Sequence, residues 1–387
     1  MTKKIFIIAG EASGDLLGSK LIKELKQQFA QINQSVELIG VGGKLMKEQG
    51  FLSIFPMEDL SVMGFLEVIP HLAKLIRRIN QTAKTIIEEK PDFVITIDSP
   101  DFNFRVIKKL KNYQGKKIHL IAPSVWAYRE GRAQKIAKLY DLLLAILPFE
   151  PPYFEKYGLK TMFIGHPIME NAPDFTKKSE NNIIFRQKYK IENDDIVICI
   201  TPGSRNGEVK KIFPEFIGAV NLLSEKIPNL KVVIPLIDKT RDLVGEMAKS
   251  LKVKYFLIEK NEKEMAFFAT NFALAKSGTN TLEFSLYRLP MIIAYKINFI
   301  THFLVKRMVK IKFANLVNLI LNREVIPEML QDNCEAKKIC DKLLNLIEDK
   351  NLSQKQIDDS FHALKLMGLE DDNSASFKAA REIIKLR

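Results

Sequence analysis

The chain has 387 residues, with 47% hydrophobic and 27% charged content, so it can bury a large core and a disordered chain is excluded. Its formal net charge of +13 calls for an anionic partner: a phosphorylated metabolite, an acidic membrane surface or nucleic acid. Three cysteines (Cys199, Cys334, Cys340) make neither a metal-ligand pattern nor an even disulfide set, which points to a reducing cytoplasm.

In chain order, a short β-branched run, a Gly- or Ser-containing turn and a helix-period segment recur. Lys4–Ala9 reads as a strand, followed by a helix over Ser13–Phe29. Two lysines precede that strand, but its apolar run is too short for a signal-peptide core. Val36–Val41 is a second strand and Asp92–Ile97 a third, with a helix over Phe104–Leu110. Lys117–Ala122 and Tyr140–Leu147 complete the first set. Residues 165–182, rich in Pro, Asn and charge, read as a linker. Strands then resume at Asp195–Ile200, Lys231–Pro235, Tyr255–Ile258, Phe272–Lys276 and Met291–Tyr295. Apolar strands between helices imply parallel sheets buried on both faces. The expected fold class is therefore α/β, with two doubly wound domains and a ligand cleft beyond the carboxyl ends of their strands.

Five strand ends carry groups suited to chemistry. Gly10-Glu11-Ala12-Ser13-Gly14-Asp15 opens a helix whose amides suit an anionic or sugar ligand, or is a tight turn capped by Ser13 or Asp15. It is not GxGxxG, which argues against a nicotinamide cofactor. Ile97-Asp98-Ser99-Pro100-Asp101 ends the third strand. Asp101 suits a helix cap, which leaves Asp98 to accept a proton from a substrate hydroxyl. Pro123-Ser124-Val125-Trp126-Ala127-Tyr128-Arg129 is a sugar or acyl platform, or a loop in which Trp126 closes over the sheet. His166 reads as part of a turn. In the second half, Gly203, Ser204 and Arg205 suit a phosphate without Walker A chemistry. Ser277-Gly278-Thr279-Asn280-Thr281-Leu282-Glu283 leads into another helix, where Glu283 either holds ribose hydroxyls or sits in the first turn of a capped helix. No Asp-x-Asp is present, which removes the usual carboxylate pair for a metal-bridged diphosphate, and no G-x-S-x-G marks a hydrolase.

Two segments suit a bilayer surface. Residues 62–79 pair apolar positions at helical spacing with Lys74, Arg77 and Arg78, with Pro70 starting the helix proper. Residues 296–312 hold five basic residues and no acidic one, beside Phe299, Phe303, Leu304, Val305 and Met308. Core-packing helices with solvated faces are the alternative. No stretch approaches the ~20 apolar residues of a bilayer-spanning helix. A nucleic-acid partner would show a known module or a basic aromatic stripe, and neither is present.

These motifs, together with Gly40-Val41-Gly42-Gly43, Met63-Gly64-Phe65-Leu66-Glu67-Val68, Leu147-Pro148-Phe149-Glu150, Phe163-Ile164-Gly165-His166-Pro167, Asn315-Leu316-Val317 and Pro327-Glu328, resemble the lipid-A-disaccharide synthase family. The resemblance runs from Ile5 to about Leu330. It implies a GT-B fold of two Rossmann-like domains: residues 1–168 on the acceptor and membrane side, residues 169–364 binding the UDP-sugar, and a helix at about 365–387 returning to the first. It implies an inverting transfer of 2,3-diacylglucosamine from its UDP conjugate to 2,3-diacylglucosamine 1-phosphate (lipid X), giving the β(1→6) disaccharide 1-phosphate and UDP. No metal or other cofactor and no nucleic acid are expected. The family works at the inner leaflet of the cytoplasmic membrane and has been associated with homodimers. Asp98 would be the base. Gly203, Ser204, Arg205, Ser277, Gly278, Thr279, Thr281, Glu283, Asn315 and Glu324 would bind the donor. Glu11, Ser13, Gly14, Asp15 and Trp126 would line the acceptor side, and Met63, Phe65 and Leu66 would touch the membrane. UDP-sugar 2-epimerases and the glycosyltransferase of peptidoglycan precursor synthesis are the nearest rivals.

Overall fold

The computed structural model describes residues 2–60, 68–128, 130–297 and 311–386. Met63, Phe65, Leu66 and Arg129 lie outside the described residues, as does the apolar part of 296–312 from Phe299 to Met308. The chain divides into two compact units, one of Met1–Glu170 with Met367–Arg387, the other of Asn171–Leu366. The sequence reading set the divisions at 168/169 and 364/365.

The first unit holds seven strands: β1 (Thr2–Ala9), β2 (Ser35–Val41), β3 (Leu52–Ser53), β4 (Phe93–Ile97), β5 (Lys116–Leu120), β6 (Leu142–Ala145) and β7 (Thr161–Phe163). Their spatial order is β3-β2-β1-β4-β5-β6-β7, and every pairing is parallel. The apolar run of β1 explains its place near the centre of the sheet. Ile5, Ile7 and Ala9 enter the core on one face and Phe6 and Ile8 that on the other, so neither face tolerates polarity.

The second unit repeats the plan with β8 (Ile196–Thr201), β9 (Leu230–Pro235), β10 (Lys254–Ile258), β11 (Phe272–Lys276), β12 (Met291–Tyr295) and β13 (Glu328–Leu330). The order is β10-β9-β8-β11-β12-β13, again all parallel. In each sheet the strand order reverses direction at one place: between β1 and β4, and between β8 and β11. At such switch points neighbouring crossovers diverge to opposite faces and leave a crevice at the strands' carboxyl ends. That rule selects the loops after β1, β4, β8 and β11.

Several expectations need correction. The helix expected to begin at Phe104 spans Pro100–Lys108 with Ser99 at its N-cap position, without a side-chain cap bond among the described residues, so Asp101 stands inside its first turn. The segment 165–182, read as a linker, does hold the division between the units, at Glu170 and Asn171, but it also contains 3-10 turns at Pro167–Asn171 and Phe175–Lys177 and the start of a helix, Lys178–Tyr189. The basic amphipathic stretch beginning before Pro70 forms the helix Val68–Glu89.

The C-terminal helix Ala375–Ile384 packs on Ala12–Gln31 of the first unit. Ala375, Ala379, Ala380 and Ile383 join the β1 core there, and Gln28 Nε2 donates to the Phe377 carbonyl at 3.1 Å. The Ser376 N–H and hydroxyl both donate to Glu170 Oε1 at 2.8 Å. The His166 N–H donates to the Met367 carbonyl at 2.8 Å, so the chain leaves and re-enters this unit at adjacent points. Ile383 is fully buried in that core. Ile383→Ala is expected to cost the first unit about 2–5 kcal/mol in urea denaturation; an unchanged midpoint would show that the helix merely rests on the surface.

Candidate functional site

Asp98 follows β4 directly. Its N–H donates to the Leu120 carbonyl at 2.9 Å, which extends the sheet ladder by one bond. The backbone then turns sharply, with φ of +46° at Asp98 and +43° at Ser99. Left-handed geometry is costly for residues that carry a Cβ, and two in succession need outside support. Asn103, fully buried on the following helix, supplies it: Nδ2 donates to the Asp98 carbonyl at 2.7 Å and to the Ile97 carbonyl at 3.3 Å. Gly10 supplies the space, because a Cβ there would stand 2.5 Å from Ser99 Oγ. Ile121, just past β5, is a third left-handed residue at φ +75°. Asp98, Ile121, Pro123, Ser124, Val125, Tyr128 and Arg132 are among the walls of a cavity of about 260 Å³. Strain thus collects on one cavity at the carboxyl edge of the sheet.

The Asp98 carboxyl is held above the usual carboxylate range, first by burial and then by the charge of, and a hydrogen bond with, Glu11. Glu11 occupies the N-cap position of Ala12–Gln31 in extended conformation. Among the described residues its side chain makes no cap bond, so neither Ser13 nor Asp15 caps this helix and the carboxylate stays with Asp98. Ser13 is exposed one turn along, and Gly14 is buried against Ala9. Asp15, expected beside a ligand, is turned inward instead. Its carboxylate accepts from the N–H groups of Gly43 (2.8 Å), Leu45 (3.0 Å) and Met46 (3.1 Å), and so caps the helix Lys44–Glu48. Trp126 also turns partly inward: its indole N–H donates to Glu150 Oε1 at 3.1 Å. His166 is buried in a turn, where its Nδ1 accepts from the Ile168 N–H at 3.2 Å.

In the second unit the turn after β8 is organised by Glu208, which the sequence did not single out. Its carboxylate accepts from the Ser204 N–H at 3.2 Å, lies 3.2 Å from Lys276 Nζ and 4.0 Å from Arg205. Gly203 sits at φ +134°, where a Cβ would come within 2.9 Å of Glu208. Ser204 and Arg205 are exposed. Thr201, at the end of β8, has a buried hydroxyl with no partner among the described residues. It lines a cavity of about 330 Å³ with Gly203, Ile237, Arg241, Lys263 and Asn280.

Across the switch point, Ser277 Oγ donates to the Ala314 carbonyl at 3.0 Å and Thr281 Oγ1 to the Gly278 carbonyl at 2.7 Å. Both hydroxyls serve the local fold. Thr279 stands at the N-cap of Asn280–Leu286 without a side-chain cap bond among the described residues; the Thr281 and Leu282 N–H groups turn back to the Gly278 and Thr279 carbonyls at 3.1 Å, which leaves the Asn280 amide at the helix start for another acceptor. Glu283 pairs with Lys263 at 2.6 Å. Asn315 caps Leu316–Leu321 through Oδ1, while its buried Nδ2 has no partner among the described residues. Glu328 draws this loop together, accepting from the Ala314 and Asn315 N–H groups and from Asn318 Nδ2 at 2.8–3.0 Å. Glu324 is exposed. Among the described residues no three His, Cys, Asp or Glu side chains gather in a metal-holding group.

Two switch-point sites, one with a strained carboxylate and one with exposed cationic and amide groups, suit transfer chemistry on an anionic substrate. Comparison with known proteins agrees. A family model described as lipid-A-disaccharide synthetase matches residues 5–383. The chain belongs to that family. Lipid-A-disaccharide synthases of Rickettsia bellii and Rickettsia prowazekii are 42% and 41% identical to it, each over 385 residues and 98% of both chains. Among solved structures, a UDP complex of MnaA from S. aureus superposes with TM-score 0.65 at 17% identity, covering 99% of this chain and 96% of that one. A glycosyltransferase from Rickettsia africae gives 0.59 at 14% identity, covering 100% and 99%. These likenesses carry the fold class: two Rossmann-like units of the GT-B kind. Within the lipid-A-disaccharide synthase frame, Asn103, Glu208 and Glu328 shape the motifs without having been read as site residues.

Asn103→Ala leaves two buried strand-end carbonyls short of a donor. It is expected to lower stability by about 1–3 kcal/mol, read by urea denaturation; an unchanged midpoint would mean that the Asp98 turn needs no such brace.

Proposed function

We infer that the chain, a glycosyltransferase of the lipid-A-disaccharide synthase family, moves 2,3-diacylglucosamine from its UDP conjugate to the 6-hydroxyl of lipid X. The products are the β(1→6) disaccharide 1-phosphate and UDP. The observation that carries this reading is Asp98 itself. It is a carboxylate at the first switch point, beside Glu11, with a raised proton affinity.

Inversion needs a single displacement. The acceptor oxygen attacks the anomeric carbon while the bond to UDP breaks on the opposite face, and one base takes the hydroxyl proton. Burial and Glu11 make Asp98 a stronger base than an ordinary carboxylate. Because its proton affinity is raised, the active, ionised form is reached at higher pH than for a free Asp side chain. Glu11 and Ser13 take the acceptor sugar.

Departing UDP carries growing negative charge. Arg205, the amides around Gly203 and the Asn280 amide at the start of its helix offset it without a metal ion. Glu283 holds the ribose, with Lys263 paired to that carboxylate and fixing its position. The buried Nδ2 of Asn315 gives the donor side one further N–H, and Glu324 reaches the same side from its exposed position. The charge of +13 favours the acceptor phosphate and an anionic bilayer. No helix among the described residues is long and apolar enough to cross a membrane. We therefore assign bilayer contact to a peripheral patch containing Met63, Phe65 and Leu66.

Purified protein is expected to release UDP from the diacylated donor only when lipid X is supplied. Release into water alone, or turnover of N-acetylglucosamine donors, would remove this reading. Asp98→Ala should abolish transfer while leaving donor binding nearly unchanged in calorimetry, and near-normal turnover would exclude Asp98 as the base. Replacing Phe65 and Leu66 by Ser should reduce co-sedimentation with anionic vesicles at unchanged thermal stability; equal sedimentation would dismiss that anchor.

A further inference from the structure

Glu150 is 2% exposed, and among the described residues its hydrogen-bond partners are all N–H groups. Its Oε2 accepts from the N–H groups of Ile146 (3.1 Å) and Leu147 (3.0 Å), which anchors it to the segment leaving β6. Its Oε1 accepts from the indole N–H of Trp126 at 3.1 Å. The Phe149 ring meets that indole edge-on, with centroids 5.3 Å apart. Trp126 lies between Val125 and Tyr128, both walls of the Asp98 cavity. One buried carboxylate therefore ties the loop beside the candidate base to the sheet behind it.

The ionisable groups on the flanking segments have other partners. Glu130 pairs with Lys156, and Arg132 reaches Asp101 at 3.7 Å. Among the described residues Tyr153 and Glu155 form no hydrogen bond with Glu150, and Arg129 lies outside the described residues. Burial alone pushes the Glu150 carboxyl up to about 7, and its three N–H donors only partly oppose that shift.

We propose that ionised Glu150 is a positioning residue, a proton-controlled clamp that holds the Trp126 segment in place as a wall of the acceptor cavity. The step is uptake of one proton from solvent. Both acceptor sites of Oε2 are taken by backbone N–H groups, whereas Oε1 has one open, so the proton goes to Oε1. It turns the oxygen facing the indole from a charged acceptor into a hydroxyl, a weaker acceptor, and that contact is the one that loosens. Protonation loosens the loop, and ionisation seats it. The link to acceptor binding rests on the reading that lipid X docks beside Asp98; the clamp itself does not.

Trp126 is the chain's only tryptophan, so its emission reports on this contact directly. In the full-length wild type, tryptophan emission should change in one sigmoidal step centred near pH 7. The KM for lipid X should rise about tenfold from pH 8 to pH 6, the scale of one charge-assisted hydrogen bond. Glu150→Gln mimics the protonated form. At pH 8 it should show the wild type's low-pH emission and raised KM, with a flat titration and kcat within about twofold. A purely structural role would instead change stability and kcat without removing the titration. Trp126→Phe, which keeps an aromatic ring but lacks the N–H, should have the raised KM at both pH values. It serves equally if Glu150→Gln fails to fold. Flat wild-type emission between pH 6 and 8, a Glu150→Gln protein that titrates like wild type, or a Trp126→Phe protein whose KM keeps the wild-type pH dependence would overturn the clamp. Emission that titrates as expected with a pH-independent KM would leave the clamp standing and overturn the docking of lipid X at this cavity.

Discussion

Two neighbouring residues with side chains, Asp98 and Ser99, are held in left-handed backbone conformations, at a cost of roughly 1–3 kcal/mol each. Much else in the first unit answers to that turn. Asn103 is buried so that its amide can hold the strand-end carbonyls, and position 10 lacks a side chain because Ser99 fills the space. The geometry aims a carboxylate out of the end of a central strand before the chain dives into a helix. A relaxed turn would carry Asp98 onward with the strand or into the helix, away from Glu11. The strain is thus spent on direction.

The second unit solves the corresponding problem with different means. In the described turns after β8 and β11 no residue with a side chain is left-handed. Glu208 collects Ser204, Lys276 and Arg205, while Glu328 and Asn318 gather the loop that bears Asn315. Each hub is an acid that accepts from backbone amides, so the cationic and amide groups around it keep a defined arrangement with little cost in charge burial. One sheet topology therefore supports two chemically different strand ends, one presenting a strained carboxylate and the other exposed cationic and amide groups.

The apolar strands were legible in the sequence because burial on both faces leaves an unbroken signature, as in Ile5–Ala9 and Val197–Ile200. Strands β3, β7 and β13, of two or three residues, are too short to leave one. Asp98 was legible since it follows a strand and Asp101 competes for the cap. The cap itself was misread because Ser99 reaches that position through left-handed geometry, which no propensity signals. Asp15 looked available because its partners at 43, 45 and 46 come from a separate helix. Glu150 could be quoted within a motif but not given a task, since its link to Trp126 spans 24 positions. Local pattern reveals strand ends; side-chain bonds across the sequence decide what each group there can do.

The adjacency of His166 and Met367 has a bearing on biogenesis. The first unit is discontinuous: residues 1–170 lack the helix that seals one face of the β1 core until residues 367–387 leave the ribosome. The intervening 196-residue unit is contiguous. The unit that is begun first is therefore completed last, and until then a nascent chain exposes the apolar patch that Ala375, Ala379 and Ile383 will cover.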